Sequence, residues 1–244
     1  ARVHGMTEAI AVVTGATGGM GREIVADLAR THHVYALGRD DTALAELGAL
    51  ANVTPVNSDL VVDLLDSTEA PSAVQRLAEL TRVDVVVHAA AIAEKFSVES
   101  AGVGDWRHAM DLNVHVPAEL TRRLLPAVRA AQGTVVFINS GAGRGSYGDN
   151  IVYAATKHAL YALADGLRKA ESNAGVRVTT VAPGPTDTPM LEGLYAQDDK
   201  PYRAEHFIEP AEIARAIRMV VDAGPSAQVT EVVVRPRIEV GDRR

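Results

Sequence analysis

From residue 9 onward the chain alternates short β-branched runs with longer segments of helical periodicity, and that alternation leaves few folds open. The strand-like runs cover residues 9–13, 33–37, 53–57, 83–88, 134–138, 176–181 and 229–234. Helical periodicity fills 20–29, 41–50, 68–80, 105–130, a segment through Tyr153 to about 173, and 211–222. A helix between two strands returns the chain to the same end of the sheet, so the strands pair in parallel. Seven strands with six helices predict an α/β fold, a doubly wound parallel seven-stranded sheet with helices on both faces. A chain of 244 residues fits one such domain, read as residues 6–244. Residues 1–5, A-R-V-H-G ahead of Met6, read as an expression remnant. Ligands on open sheets of this kind bind beyond the carboxyl ends of the strands. Gly15, Ala91, Ser140 and Gly184 all fall just past such ends. Residues 183–209 show no regular pattern and are long for a loop, so they are expected to cover that edge.

The first strand runs into T-G-A-T-G-G-M-G, Thr14 to Gly21, and then into a helix with Met20, Ile24 and Leu28 four apart. Strand, glycine turn and helix amino terminus in that order make an anion site, because unpaired N–H groups and the macrodipole face whatever docks there. Glycine lets the backbone approach a pyrophosphate with no Cβ in the way. A second pattern lies in N-I-V-Y-A-A-T-K-H-A-L. Tyr153 and Lys157 are four apart, so a helix puts the phenol and the ammonium on one face. A neighbouring positive charge favours a phenolate, which lowers the pKa expected of Tyr153 and makes it usable in proton transfer. Of the six tyrosines, only Tyr153 has a lysine four positions on.

The spacing T-G-x-x-x-G-x-G together with Y-x-x-x-K resembles the short-chain dehydrogenase/reductase family, in its compact single-domain form, over nearly the whole chain. The resemblance implies a Rossmann-like fold and hydride transfer between a nicotinamide cofactor and a small alcohol or carbonyl substrate. It implies a catalytic set of Asn113 (in D-L-N-V), Ser140 (in I-N-S-G-A-G), Tyr153 and Lys157. Tyr153 would exchange a proton with the substrate oxygen, Ser140 would hydrogen-bond that oxygen, and Lys157 would also hold the nicotinamide ribose. The implied cofactor contacts are Gly15, Thr17, Gly19, Met20, Gly21, Gly38, Arg39, Asp59, Leu60, Ala89, Ala90, Ala91, Tyr153, Lys157, Pro183, Gly184, Thr186 and Thr188. One segment departs from the family pattern: His88, Ala89, Ala90 and Ala91 stand where N-N-A-G is usual. His88 reads as a structural substitute that bonds across strands, and Ala91 as a methyl that narrows the space near the ribose. The ending V-V-V-R-P-R is similar to that of reductases of hydroxy acids and small carbonyls. A non-catalytic protein that senses nicotinamide nucleotides on the same fold is the alternative, with loss of Tyr153, Lys157 or Ser140 as its signature; all three are present.

Cofactor choice is read from the end of the second strand. NAD-selective sites place an acid there for the ribose 2′-OH. Here Gly38 leaves room for a 2′-phosphate and the Arg39 guanidinium can pair with it, which favours NADP, with NAD possible; Asp40 opposes. Other classes are excluded on composition. There is no cysteine, and the eight histidines show no metal-ligand spacing, so no metal is expected. A net charge of −7 with signs interspersed argues against nucleic acid. No apolar stretch approaches the ~20 residues of a membrane span and no leader is apparent, so a cytoplasmic location is expected. The Tyr153 helix carries Ile151, Val152, Leu160, Leu163 and Leu167, more apolar surface than one core face needs, which predicts a homodimer or homotetramer. Pro117 lies four residues after Asn113 and has no N–H for the Asn113 carbonyl, so a kink is expected in the long helix.

Overall fold

The computed structural model describes residues 8–66, 72–146 and 148–239, so the remnant reading of 1–5 and the expected helix start at 68–71 lie outside it. The strands β1 (Ile10–Thr14), β2 (His33–Gly38), β3 (Val53–Asn57), β4 (Val85–His88), β5 (Thr134–Ile138), β6 (Arg177–Pro183) and β7 (Glu231–Val234) form one parallel sheet. Their order is β3-β2-β1-β4-β5-β6-β7. The chain winds outward from β1 to β3 and then crosses back to β4, so the winding reverses between β1 and β4. Loops leaving those two strands part there and open a crevice.

Alternation along β1 distributes its side chains between two cores. Ala11 and Val13 join the core under α1 (Gly19–Leu28), α2 (Asp41–Gly48) and α8 (Pro210–Val221). Val12 joins the opposite core with α5 (Val116–Ala131) and α6 (Ile151–Ala170). Leu120, Leu124, Ile213 and Ile217 are fully buried, and each such side chain contributes roughly 1.5–3 kcal/mol. Apolar burial on both faces, rather than surface ion pairing, holds the layers together.

The third helix is shorter than expected. It starts behind a Ser72 capping box as α3 (Ala73–Arg76) and tightens into a 3₁₀ turn at Leu77–Glu79. The expected helix at 105–130 is instead α4 (Val103–Met110) and α5, joined through a π-helical turn at Asp111–His115. That turn is where Pro117 withholds its N–H, so the irregularity sits at the anticipated place. Within 183–209 there is an additional helix, α7 (Pro189–Gln197), started by Thr188, whose Oγ1 accepts from Leu191 N at 3.3 Å. None of its residues is buried, so no apolar period announced it. On α6, Leu160 is buried and Leu163 and Leu167 pack against the second core, so most of the apolar excess is used within the chain. Among the described residues no helix is long and apolar enough to cross a membrane.

Candidate active site

The crevice at the winding reversal is a cavity of about 610 Å³. Its walls include Gly15, Thr17, Gly19, Met20, Gly21, Gly38, Arg39, Asp59, Leu60, Ala89, Ala90, Ala91 and Thr188 from the expected cofactor set. Pro183, Gly184, Thr186, Tyr153 and Lys157 are not among its walls; Thr186 is buried, and its hydroxyl donates to Gly184 O at 3.0 Å. Sequence reasoning missed Ser58, Ile92, His108, Leu112 and Met190, which also line it. They come from loop and helix positions whose residue types carry no chemistry of their own in the motifs, Leu112 being the apolar member of D-L-N-V.

The turn after β1 is a cradle set by sterics. Gly15 has φ +65°, and a Cβ there would lie 2.7 Å from Ala90 N. A Cβ on Gly21 would overlap the Gly15 carbonyl oxygen. α1 begins without a side-chain cap, so no side chain covers its first N–H groups. Thr14 Oγ1 accepts from Ala89 N (3.1 Å) and Ala90 N (3.2 Å), which ties the two loops of the crevice together. A pyrophosphate fits the chemistry of this cradle: close-approach backbone, a helix amino terminus and no acid in the turn.

At the far end, the room expected beside Gly38 is not open. A Cβ at Gly38 would lie 2.5 Å from Thr17 Cγ2, so the Thr17 methyl fills it. Arg39 is exposed, its Nη1 3.9 Å from Asp59 Oδ2. Asp40 is engaged elsewhere: its Oδ1 caps α2 by accepting from Ala43 N at 2.9 Å.

The residues expected to handle the proton gather at the carboxyl end of β5. Asn139, which the sequence reading passed over, organises them. Its Nδ2 donates to Lys157 O (3.1 Å) and its Oδ1 accepts from Ser140 N (2.8 Å). A buried amide at the end of an apolar strand was the available signal. Ser140 Oγ accepts from Ala142 N at 3.2 Å and lies close enough to the Tyr153 phenol to act on its titration. Lys157 is 3% exposed; its Nζ donates to Ile138 O at 2.9 Å and lies 5.5 Å from the Tyr153 ring centroid. Burial pushes Tyr153 up to about 12, against a smaller pull downward from Ser140. The lowered phenol expected from its lysine is therefore not what this geometry gives. Burial also brings Lys157 down to about 8. Desolvation outweighs mutual attraction for both groups.

Asn113 sits in the π turn and is buried. Its Oδ1 accepts from Ile92 N (2.9 Å), and its Nδ2 donates to Ile92 O (2.9 Å) and to Thr156 Oγ1 (3.0 Å). Both amide hydrogens are taken, so the side chain joins the loop after β4 to α6 and has no donor left for a substrate. The His88 hydrogen bond goes to α5 rather than across strands, with Nε2 2.8 Å from Thr121 Oγ1, while the ring stacks on Phe137 of the adjacent β5 at 4.9 Å. Burial holds it at about 3, so it stays neutral at physiological pH.

The sequence pattern described as short chain dehydrogenase matches residues 9–199. The chain belongs to the short-chain dehydrogenase family. It is an NAD(P)-dependent oxidoreductase of that family. A crystal structure described as a short-chain dehydrogenase/reductase from Corynebacterium glutamicum is 47% identical, covers 93% of this chain and 100% of its own, and superposes with a TM-score of 0.71. A chain described as an NAD(P)-dependent gluconate 5-dehydrogenase from Beutenbergia cavernae, with NADP bound at low occupancy, is 29% identical over 93% and 95% of the two chains, TM-score 0.80. The closed form of serine dehydrogenase complexed with NADP+ is 26% identical over 92% and 94%, TM-score 0.76. Short-chain dehydrogenase structures thus share the fold of this chain.

Proposed function

We propose that the protein interconverts small alcohols and carbonyl compounds with NADP(H), using Tyr153 as proton donor and acceptor and Ser140 as the hydrogen-bond donor to the reacting oxygen. The observation that carries this is the Tyr153 phenol beside Ser140 and the buried Lys157 ammonium, past the carboxyl end of β5. When bound, the nicotinamide supplies or accepts the hydride. A phenol held at about 12 is protonated at neutral pH, which suits donation to a carbonyl oxygen. Ser140 lies where charge develops on that oxygen. Gly15, Gly19, Gly21 and the start of α1 would hold the pyrophosphate, Asp59 and Leu60 the adenine end, and Pro183, Gly184, Thr186 and Thr188 the nicotinamide end. Asn113 acts by positioning.

The NADP preference is supported by exposed Arg39 at the crevice mouth and by Asp40 being engaged as a helix cap. Neighbours named with NADP point the same way. Nothing observed favours the non-catalytic alternative. Exposed Met219 on α8 and Val233 on the edge strand β7 are apolar surface that a second copy would cover, which supports a homodimer or homotetramer. Light scattering tests the assembly, and cell fractionation the cytoplasmic location. For the activity, a panel of small carbonyls is mixed with NADPH and, separately, NADH. Absorbance should fall with NADPH at the lower KM. No turnover with any carbonyl would overturn the enzymatic reading, and tighter NADH binding would overturn the cofactor assignment.

A further inference from the structure

Reading Tyr153 and Ser140 as the pair at the reacting oxygen, on which this inference rests, leaves the remainder of the substrate without a partner. Arg235 is the first residue after β7. Gly184 N donates to Val234 O at 2.7 Å, so Arg235 starts beside the end of β6. A methyl group at Gly184 would lie 3.2 Å from its Nη1, and one at Gly141 would lie 3.7 Å from the same nitrogen. The guanidinium edge therefore spans the gap between the residue after Ser140 and the residue after Pro183. Both of these neighbours are glycines.

On its other edge the guanidinium already holds a carboxylate. Nε donates to Glu239 Oε1 at 2.9 Å and Nη2 to Glu239 Oε2, a side-on pairing within the tail. The two side chains are 47% and 45% exposed, a setting in which ion pairs hold weakly and exchange readily. The net charge of −7 gives no general field that would gather anions, so an acidic substrate needs a local cation.

We infer that Arg235 selects carbonyl substrates that carry a carboxylate, 2- or 3-oxo acids, with Glu239 as an internal competitor for the same guanidinium charge. A planar guanidinium matches a carboxylate in two parallel hydrogen bonds, which a lysine cannot reproduce. The carboxylate itself is unchanged by the reaction; it fixes which end of the substrate faces Ser140.

Acetoacetate and 2-oxobutanoate, each beside its neutral ethyl ester, provide the test. With NADPH the wild-type protein is expected to favour each acid over its ester. Arg235→Ala is expected to raise KM for the acids roughly ten- to hundred-fold, the loss typical of a charge-assisted hydrogen bond, with kcat and the ester kinetics nearly unchanged. Arg235→Lys should recover part of the loss, and Glu239→Gln should lower KM for the acids. Calorimetric titration with 3-hydroxybutanoate gives a readout independent of turnover: heat of binding in wild type, little in Arg235→Ala. Turnover of the esters with no preference for the acids, or an Arg235→Ala variant with unchanged KM for the acids, overturns this inference and leaves the proposed function standing. Failure to reduce any of the four compounds while other carbonyls are reduced also overturns this inference, and only absence of turnover with every carbonyl overturns the proposed function.

Discussion

The two ends of the candidate site are made of different material. From Gly15 to Ile92 the crevice is shaped by backbone: glycines packed against peptide groups, with Thr14 joining the loops. Around Ser140 the shape comes from polar side chains apart in sequence, with Asn139 joining Ser140 to Lys157, and a side-chain network follows a few residues on. Arg144 pairs with Glu231 and lies 5.3 Å from the Tyr161 ring centroid, while Tyr161 OH donates to Glu231 Oε1 at 2.8 Å. Backbone sterics admit a residue or reject it, whereas charge networks tolerate exchange. A cofactor end built the first way is fixed to one ligand shape, and a substrate end built the second way can be retuned without disturbing it.

Tyr153→Phe applies the largest stress to that division. It should lower kcat by about 10²–10⁴-fold, the usual worth of a positioned acid, with NADPH affinity nearly unchanged in a fluorescence titration. Comparable loss of NADPH binding would mean that the two ends are not separable. Gly21→Ala probes the other side. Its methyl must push against the Gly15 carbonyl, and overpacking of this kind costs about 1–3 kcal/mol. Weaker NADPH binding and a lower melting temperature are expected, with kcat at saturating NADPH close to wild type.

Lys157 gives a pH test with two opposite signs. Burial sets its folded pKa at about 8, below its ordinary value. The unfolded chain then holds the extra proton between the two values, so stability rises as pH climbs through about 8 and upward. Reduction that needs the Lys157 cation falls over the same window. Melting temperature and kcat/KM should therefore move in opposite directions above pH about 8, and a parallel rise would remove Lys157 from the chemistry. The smallest effect belongs to Arg144→Ala. An exposed pair of this kind contributes about 0.2–1 kcal/mol, a shift of no more than ~4 °C. KM for substrate should change more than NADPH affinity.

The same division explains what could be read in the sequence. β3 and β5 fall at the expected residues, and for β5 the reason is plain, since a β-branched apolar run buried on both faces has few other uses. The glycine turn was legible because Gly15 and Gly21 meet local steric demands. Asn139 and the Arg144–Glu231–Tyr161 contacts were not, since each depends on residues brought together only by the finished sheet. α7 escaped notice because none of its side chains is buried. The direction of the Tyr153 shift was misjudged for a related reason. Spacing shows that a lysine is near, but only the packed structure shows that Lys157 is buried and Tyr153 partly withdrawn from water.

The buried amide of Asn113 has a consequence for anyone who would reshape this protein. It fastens Ile92, the π turn and Thr156, and Thr156 is the immediate neighbour of Lys157. A loop exchanged from Ala89 onward would loosen that joint and let the catalytic helix drift, whatever the new loop was designed to bind. Grafts that begin after Ile92 leave the joint whole, so the segment from residue 93 to the start of α4 is where new specificity can be written in without blunting the chemistry.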